Sequence, residues 1–105
     1  MPFAVAAYGE ALWDLLPEGP VLGGAPTNFA YRLNELGERA AIVTRLGKDE
    51  FGERAAQRMR ALGMDMRFVQ WDGEHPTGTV EIVFDAKRQP DYTIVPNVAY
   101  DFMEF

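Results

Sequence analysis

Residues 23–37, GGAPTNFAYRLNELG, join a glycine pair to an amphipathic helix pattern, and this stretch is the most informative one about the fold. Pro26 suits the first turn of a helix, where its missing N–H costs nothing. Phe29, Leu33 and Leu36 recur at i, i+4 and i+7, which is the spacing of a buried helical stripe. We therefore expect a helix that begins at Pro26, buries these three side chains, and is ended by the glycine after Leu36.

The glycine pair lies where the backbone meets the amino end of this helix. Gly23 and Gly24 allow a sharp bend or a close approach to a ligand, and the helix directs free N–H groups and its positive dipole end to the same place. Asn28 adds an amide, and an ionised Asp14 would accept from two hydroxyls. The arrangement suits a neutral or anionic, hydroxyl-rich small molecule. The alternative is a plain turn, with Asn28 helping to cap the helix and Asp14 in solvent. The spacing matches neither the dinucleotide fingerprint nor the P-loop.

The composition is that of an ordinary folded protein and excludes several classes of function. The 105 residues are enough for one small domain and carry ten basic and sixteen acidic side chains, a net charge of −6. We therefore expect no nucleic-acid partner and no membrane partner. The N-terminus lacks a basic region and a long apolar run, so we expect no signal peptide. The absence of cysteine excludes disulfides and agrees with a cytoplasmic location.

Apolar runs alternate with helical patterns over the first two thirds of the chain. FAVAAYG, AAIVTRLG and MRFVQW are typical of buried strands. A second helix is expected after Asp49 as N-cap, with Phe51, Ala55, Met59 and Leu62 at i, i+4, i+8 and i+11. Strands that alternate with helices predict a parallel α/β layer.

The remaining segments have a different pattern. TGTVEIVFD and DYTIVPN alternate along a strand and predict an antiparallel hairpin with two fairly apolar faces, which needs a cover. EALWDLLP reads as a strand with an unusual carboxylate, Asp14, and PEGPVLGG as a turn-rich loop. VAYDFMEF predicts the start of a helix with Asp101 as N-cap. His75 is expected to be a solvent-exposed turn residue, and Trp13 either stacks on a ligand or packs at a lid or an interface.

Several of these blocks resemble the ribokinase/PfkB family of carbohydrate kinases, and its fructokinase-like members in particular. The glycine pair, three residues, Asn28 and a helix ending in Leu-Gly are similar to the family's N-terminal signature. GEALWDLLP, RLGKDEFG, LGMD, PTGTVEIVFD and PDYTIVPNVAYDF follow in the family's order and spacing. The resemblance covers essentially the whole chain but only the N-terminal third of a family member.

The resemblance implies an α/β, ribokinase-like fold, namely the N-terminal part of a mainly parallel sheet with flanking helices plus an antiparallel β lid. The lid strands would lie at about residues 11–17, 78–85 and 91–96. It also implies a substrate site in which Asp14 and Asn28 bind sugar hydroxyls, the glycine loop closes on the sugar, and the lid supplies further contacts. The implied substrate-binding residues are Asp14, Gly23, Gly24, Asn28, Tyr92 and Ile94.

The resemblance further implies a reaction. A family member transfers a phosphoryl group from ATP, with Mg²⁺, to a sugar hydroxyl. Some relatives carry a cation where this chain has Ala25 or Pro96, so a neutral sugar such as fructose is favoured. The catalytic, nucleotide-binding and metal-associated residues belong to the C-terminal part of such kinases. We therefore expect none of them in this chain, which alone would be inactive.

Two interpretations remain open at this point. In the first, the chain supplies the sugar site and the lid of a kinase that works in the cytoplasm as a homodimer or larger oligomer, associated through the lid or an exposed sheet. In the second, it is a truncated, non-catalytic protein that binds a sugar weakly or only associates with itself.

Overall fold

A computed structural model describes residues 5–104, which form two β-sheets, two α-helices and a 3₁₀-helix. The parallel sheet contains β1, β4 and β5, and the second sheet contains β2, β3, β6 and β7. The strands are β1 Val5–Tyr8, β2 Leu12–Leu16, β3 Gly19–Gly23, β4 Ala40–Gly47, β5 Val69–Asp72, β6 Gly78–Phe84 and β7 Pro90–Ile94. The helices are α1 Ala25–Glu35, α2 Glu50–Ala61 and the 3₁₀-helix Ala99–Phe102.

The parallel sheet has the strand order β1-β4-β5, with α1 connecting its first pair of strands and α2 its second. Ile42 and Leu46 of β4 are fully buried and share one face, and they belong to the same core as Ala30 of α1 and Met59 of α2. This confirms the predicted parallel α/β layer. The predicted start of β1 at Phe3 falls outside the described residues.

Helix α1 forms where it was expected, but it buries different side chains. Phe29 and Leu36 are 53% and 79% exposed, so the prediction that they form a core stripe was wrong, and Leu33 is only partly buried. The buried residues of α1 are Thr27 and Ala30. Small side chains let the helix approach the sheet closely, and apolar spacing alone does not reveal which face they take.

Helix α2 confirms its sequence pattern. The Asp49 carboxylate accepts a hydrogen bond from the Gly52 N–H at 2.7 Å, as expected of an N-cap. Ala55 and Met59 are fully buried, and Phe51 and Leu62 pack partly buried against the same core.

The second sheet has the order β3-β2-β6-β7, in which β2 and β6 run parallel and the outer pairs run antiparallel. The β6–β7 hairpin is present as predicted. The prediction for β3 was wrong, because its glycine- and proline-rich segment was expected to be a loop. The turn at residues 17–18 brings this segment beside β2, whose backbone groups need hydrogen-bond partners, and that requirement outweighs the poor strand propensity.

Two side chains join this sheet to the parallel layer. Trp13 is buried in the main core, where its Nε1–H donates to the carbonyl of Phe51 at 2.9 Å, so it packs internally. At the start of β6, the Thr77 Oγ1 accepts from the Gly47 N–H at 2.9 Å and donates to the Asp49 carboxylate at 2.7 Å. Asp49 therefore connects the turn before α2 with the first residues of the second sheet.

The C-terminal segment returns to the parallel layer and corrects two expectations. Asp101 lies inside the 3₁₀-helix rather than at its N-cap, and its carboxylate accepts from the Val98 N–H at 3.4 Å. His75 is only partly exposed, because its Nδ1 lies 2.9 Å from the Asp72 carboxylate and its ring stacks on Phe102 at 3.7 Å. A polar loop sequence does not show that a distant aromatic side chain will cover it.

Among residues 5–104, no helix has the length and apolar character needed to span a membrane.

Candidate functional site

One face of the second sheet brings together four of the six predicted site residues. The strand register aligns Val21, Asp14, Val80 and Ile94 in a row across all four strands. Gly23, Leu12 and Gly78 form the next row on one side, and Ile82 and Tyr92 are paired on the other. Cross-strand partners and residues two apart along a strand point to the same side of a sheet. We call this surface, defined by the residues of these rows, the Asp14 face.

Asp14 is a partly buried carboxylate with no hydrogen-bond or ion-pair partner among residues 5–104. Burial raises its pKa above the ordinary value, because the charged form loses hydration that nothing in the protein replaces. Its Oδ2 would lie 2.5 Å from a Cβ added at Gly23, so a side chain there would displace the carboxylate from this position. Asp14 is therefore an acceptor held without a protein donor, which is the state expected of a ligand-binding group.

The second glycine is required by backbone geometry. Gly24 has φ +103°, and a Cβ there would overlap the carbonyl of Glu10. Gly24 is the N-cap of α1, and its carbonyl accepts the first helical hydrogen bond, from the Asn28 N–H at 3.0 Å. The Thr27 hydroxyl donates to the Glu10 carbonyl at 3.3 Å, which fastens the helix start to the loop before β2.

The Asn28 side chain is exposed and does not cap the helix. It lines a groove of about 410 Å³ that also includes Val21 and Leu22 of β3 and Tyr31 of α1, and that does not include Asp14. The structure therefore links Asp14 to the glycine pair, and the glycine pair to Asn28, but it does not place Asp14 and Asn28 in one cavity. Their convergence on one ligand stays a prediction.

Tyr92 and Ile94 lie on the Asp14 face and belong to β7, the edge strand. They are 60% and 67% exposed, and Ile94 is two strands away from Asp14, about 10 Å. Their predicted role as sugar contacts therefore needs a ligand that reaches across β6.

Tyr100, which the sequence pattern did not single out, also reaches this face. It packs against the buried cluster formed by Leu12, Val80 and Ile82, and an added Cβ at Gly78 would lie 2.6 Å from the ring atom Cδ2. The signal in the sequence was weak, since Tyr100 follows the strands in the segment VAYDFMEF, which predicted only the start of a helix.

The Asp14 face carries an acidic side chain and no basic one. None of the residues in its rows is a lysine, an arginine or a histidine. The ion pairs found among residues 5–104 involve Arg32, Arg45, Arg67 and His75, none of which belongs to those rows. An anionic ligand would thus meet Asp14 without a compensating cation, so the face favours a neutral ligand rich in hydroxyl groups.

The glycine loop and the amino end of α1 offer little to a nucleotide phosphate. Pro26 removes one of the free N–H groups that the amino end of α1 would offer a phosphate, and no basic side chain lies in the glycine loop. Within residues 5–104, no group of three or more acidic or histidine side chains is arranged to hold a metal. No step involving either group is assigned to these residues.

Comparison with known proteins first defines the class of the chain. The fructokinase of Vibrio cholerae O395, solved without ligand, superposes with a TM-score of 0.87 at 31% identity, covering 95% of this chain and 36% of that one. An uncharacterised sugar kinase of Pyrococcus horikoshii, solved with ATP, gives 0.80 at 29% identity over 91% of this chain and 35% of its own. The chain is a mixed α/β protein with the ribokinase-like fold.

The family follows from sequence. The model of the pfkB family carbohydrate kinases matches residues 20–103, and the chain belongs to that family. Escherichia coli fructokinase is 31% identical over 99% of this chain. The chain spans about a third of the length of the curated relatives that it matches, 36% of the E. coli protein. The Vibrio cholerae fructokinase has also been solved in a fructose, ADP and calcium ion bound form, at a TM-score of 0.78 and 29% identity, over 95% of this chain and 34% of that one.

Proposed function

We propose that this chain supplies the sugar-binding part of an ATP-dependent carbohydrate kinase that phosphorylates a hydroxyl of fructose or a similar neutral sugar. The observation that carries the proposal is Asp14, a carboxylate without a protein donor beside Gly23 on a face without cations. Family membership and the fructose-bound form of a similar enzyme support it.

In this proposal each predicted residue has a chemical task. Ionised Asp14 accepts hydrogen bonds from two sugar hydroxyls, and Gly23 keeps space for it. Gly24 lets the loop come close to the sugar, and Asn28 contributes a donor and an acceptor from the exposed first turn of α1. Tyr92 and Ile94 cover the sugar from β7, with the second sheet acting as a lid.

The neutral character of the substrate follows from charge. Ala25 stands directly after the glycine pair and Pro96 follows β7, so neither place offers a cation for a carboxylate or phosphate. The site rows contain Asp14 and no basic residue. An acid sugar or a sugar phosphate would therefore be repelled relative to fructose.

The phosphoryl-transfer chemistry is proposed to lie outside residues 5–104. ATP and Mg²⁺ serve the full-length kinase, and an ATP-bound neighbour supports nucleotide binding in such proteins. We expect this chain alone, given MgATP and fructose in a coupled assay for ADP release, to show no turnover. Turnover by the isolated chain would refute this division of labour. An in-frame continuation in the DNA after Phe105 would favour the kinase over a truncated, non-catalytic sugar-binding protein.

We further propose a cytoplasmic protein that forms a homodimer or larger oligomer through the second sheet. Val83 and Phe84 are large apolar residues that are exposed on β6 and are not among the proposed sugar contacts. Such surface on an edge hairpin favours association. Light scattering that gives a monomer mass at high concentration would contradict this part of the proposal.

The sugar site is tested by calorimetric titration of D-fructose into the chain and two variants. Asp14→Asn should weaken binding by at least about tenfold, because a hydrogen bond to a charged group is lost. Asp91→Asn is the matched control, since Asp91 is exposed on β7 and alternates away from the Asp14 face. Equal affinity of all three proteins, or no binding by the wild type, would overturn the proposal.

A further inference from the structure

The Tyr100 side chain is held in place by the backbone on both sides of it. Val98 and Ala99 are buried, the Ala99 N–H donates to the Pro76 carbonyl at 2.7 Å, and the Asp101 N–H donates to the Val98 carbonyl at 3.0 Å. The 3₁₀-helix that carries Tyr100 is thus anchored to the segment that leads into β6. Its ring position is a consequence of this anchoring.

The absence of a side chain at position 78 makes room for the ring. An added Cβ at Gly78 would lie within 2.6 Å of ring carbon Cδ2 and closer still to Cε2. Tyr100 also packs against the buried cluster that includes Leu12, which pairs with both Gly78 and Gly23. Tyr100 therefore covers the row that contains Gly23, next to the row that contains Asp14.

The Tyr100 ring and Asp14 lie over neighbouring rows of the Asp14 face. Leu12 and Asp14 are two residues apart on the same face, about 7 Å. A monosaccharide bound to Asp14 over the glycine pair would reach the aromatic ring that lies on Gly78, the strand partner of Leu12. Glu10, whose carbonyl contacts the glycine loop, is close enough for its charge to act on the Tyr100 hydroxyl.

The chemistry of the two groups is complementary. Ionised Asp14 can only accept hydrogen bonds, whereas each sugar hydroxyl both donates and accepts. Burial, together with the charges of Asp101 and Glu10, raises the pKa of Tyr100, so its hydroxyl keeps the proton that it can donate. Within the described residues no hydrogen bond engages that hydroxyl, and the ring is only partly buried.

We propose that Tyr100 is a further sugar-contacting residue, which donates a hydrogen bond to a sugar hydroxyl while its ring packs on the sugar's carbon face. This inference rests on the proposed sugar site and adds a donor that the family resemblance did not include. Tyr100 then selects among neutral sugars by the position of the hydroxyl that it contacts, while Asp14 binds other hydroxyls of the same sugar.

The test is calorimetric titration of D-fructose and its monodeoxy analogues into the wild-type chain and its Tyr100→Phe and Tyr8→Phe variants. Tyr100→Phe keeps the ring, so its melting temperature should match the wild type. Its Kd for fructose should rise about three- to tenfold, the effect of one neutral hydrogen bond. Tyr8→Phe makes the same change on an exposed residue of the parallel sheet and should leave the Kd unchanged.

The deoxy analogues identify the contact. One analogue lacks the hydroxyl that Tyr100 contacts, and it should bind the wild type more weakly than fructose does. Tyr100→Phe should bind this analogue and fructose equally well, because the variant has already lost the same hydrogen bond. An unchanged fructose Kd in Tyr100→Phe, together with a weakened one in Asp14→Asn, would overturn this inference and leave the proposed site intact. Wild-type protein that binds no sugar would overturn both.

Discussion

The parallel sheet and the four-stranded sheet belong to one chain but bury their residues to different extents. In the parallel sheet, β4 alone contributes Ala40, Ile42 and Leu46 to a core that both helices share. In the four-stranded sheet, the Asp14 face buries Leu12, Val80 and Ile82, and every residue of β7 is exposed. The first region is stabilised by its own apolar contacts, whereas the second leaves a face available to something else.

The exposed sheet is nevertheless fastened to the buried one at defined points. Trp13 inserts into the main core, and Thr77, directly before β6, is hydrogen-bonded to Gly47 and Asp49. A sheet that carries a ligand site must keep its position while its binding face stays accessible. The difference in burial therefore separates the part of the chain that gives stability from the part that we propose gives function.

The largest predicted difference in stability is between two isoleucine-to-alanine substitutions, one in the parallel sheet and one in the four-stranded sheet. Ile42→Ala removes a fully buried side chain and should lower the free energy of unfolding by about 3 kcal/mol. Ile94→Ala removes a side chain that is 67% exposed and should change it by less than about 0.5 kcal/mol. Urea denaturation followed by circular dichroism measures both. Similar losses for the two variants would show that the second sheet contributes to stability as much as the first.

A smaller effect is expected at the junction of the two regions, where Asp72 is buried. Although burial opposes its ionisation, hydrogen bonds from the Glu74 and His75 N–H groups, Arg45 and the His75 ring lower its pKa well below the usual range. A depressed folded-state pKa stabilises the protein above the unfolded pKa of about 4, and this contribution is lost as pH falls through the folded-state value.

Asp72→Asn should therefore lower the free energy of unfolding at pH 7, and this loss should shrink progressively as the pH is lowered below about 4. Unfolding titrations in urea between pH 2 and pH 7 measure this dependence. Asp65→Asn is a suitable control, because Asp65 forms a more exposed pair with Arg67. A cost that stays constant over this pH range would exclude the ionised carboxylate as its cause.

The smallest predicted effect is a gain in stability within the buried layer. Thr44 is fully buried on β4, and its hydroxyl is the buried side-chain polar atom without a partner among residues 5–104. Thr44→Val keeps the shape and removes the unpaired group, so the free energy of unfolding should rise by about 1 kcal/mol. Differential scanning calorimetry would detect the higher melting temperature. Thr93→Val, on exposed β7, should leave the melting temperature nearly unchanged.

Local sequence patterns were sufficient for several elements. The cap and apolar spacing of α2, the alternating β6–β7 hairpin and the proline and glycine at the two ends of α1 all predicted elements that the structure contains. These signals work because capping, turn chemistry and side-chain periodicity act between residues that are close in sequence. Asp14 could be singled out for the same reason, as a carboxylate among apolar neighbours.

Other features depended on contacts between distant segments. Strand β3 exists because β2 offers it an edge, and α1 turns Phe29 outward because Ala30 fits closer to the sheet. His75 is partly covered by Phe102, and Tyr100 reaches the Asp14 face only because Gly78 has no side chain. Composition and spacing contain no information on these pairings.

The sequence by itself therefore determined the α/β class, the glycine-helix loop and the unusual carboxylate, since each is written in neighbouring residues. Only the tertiary structure decided which face of each element is buried and which side chains surround Asp14. The physical reason is that backbone pairing and close packing join residues tens of positions apart, where they can overrule local preference.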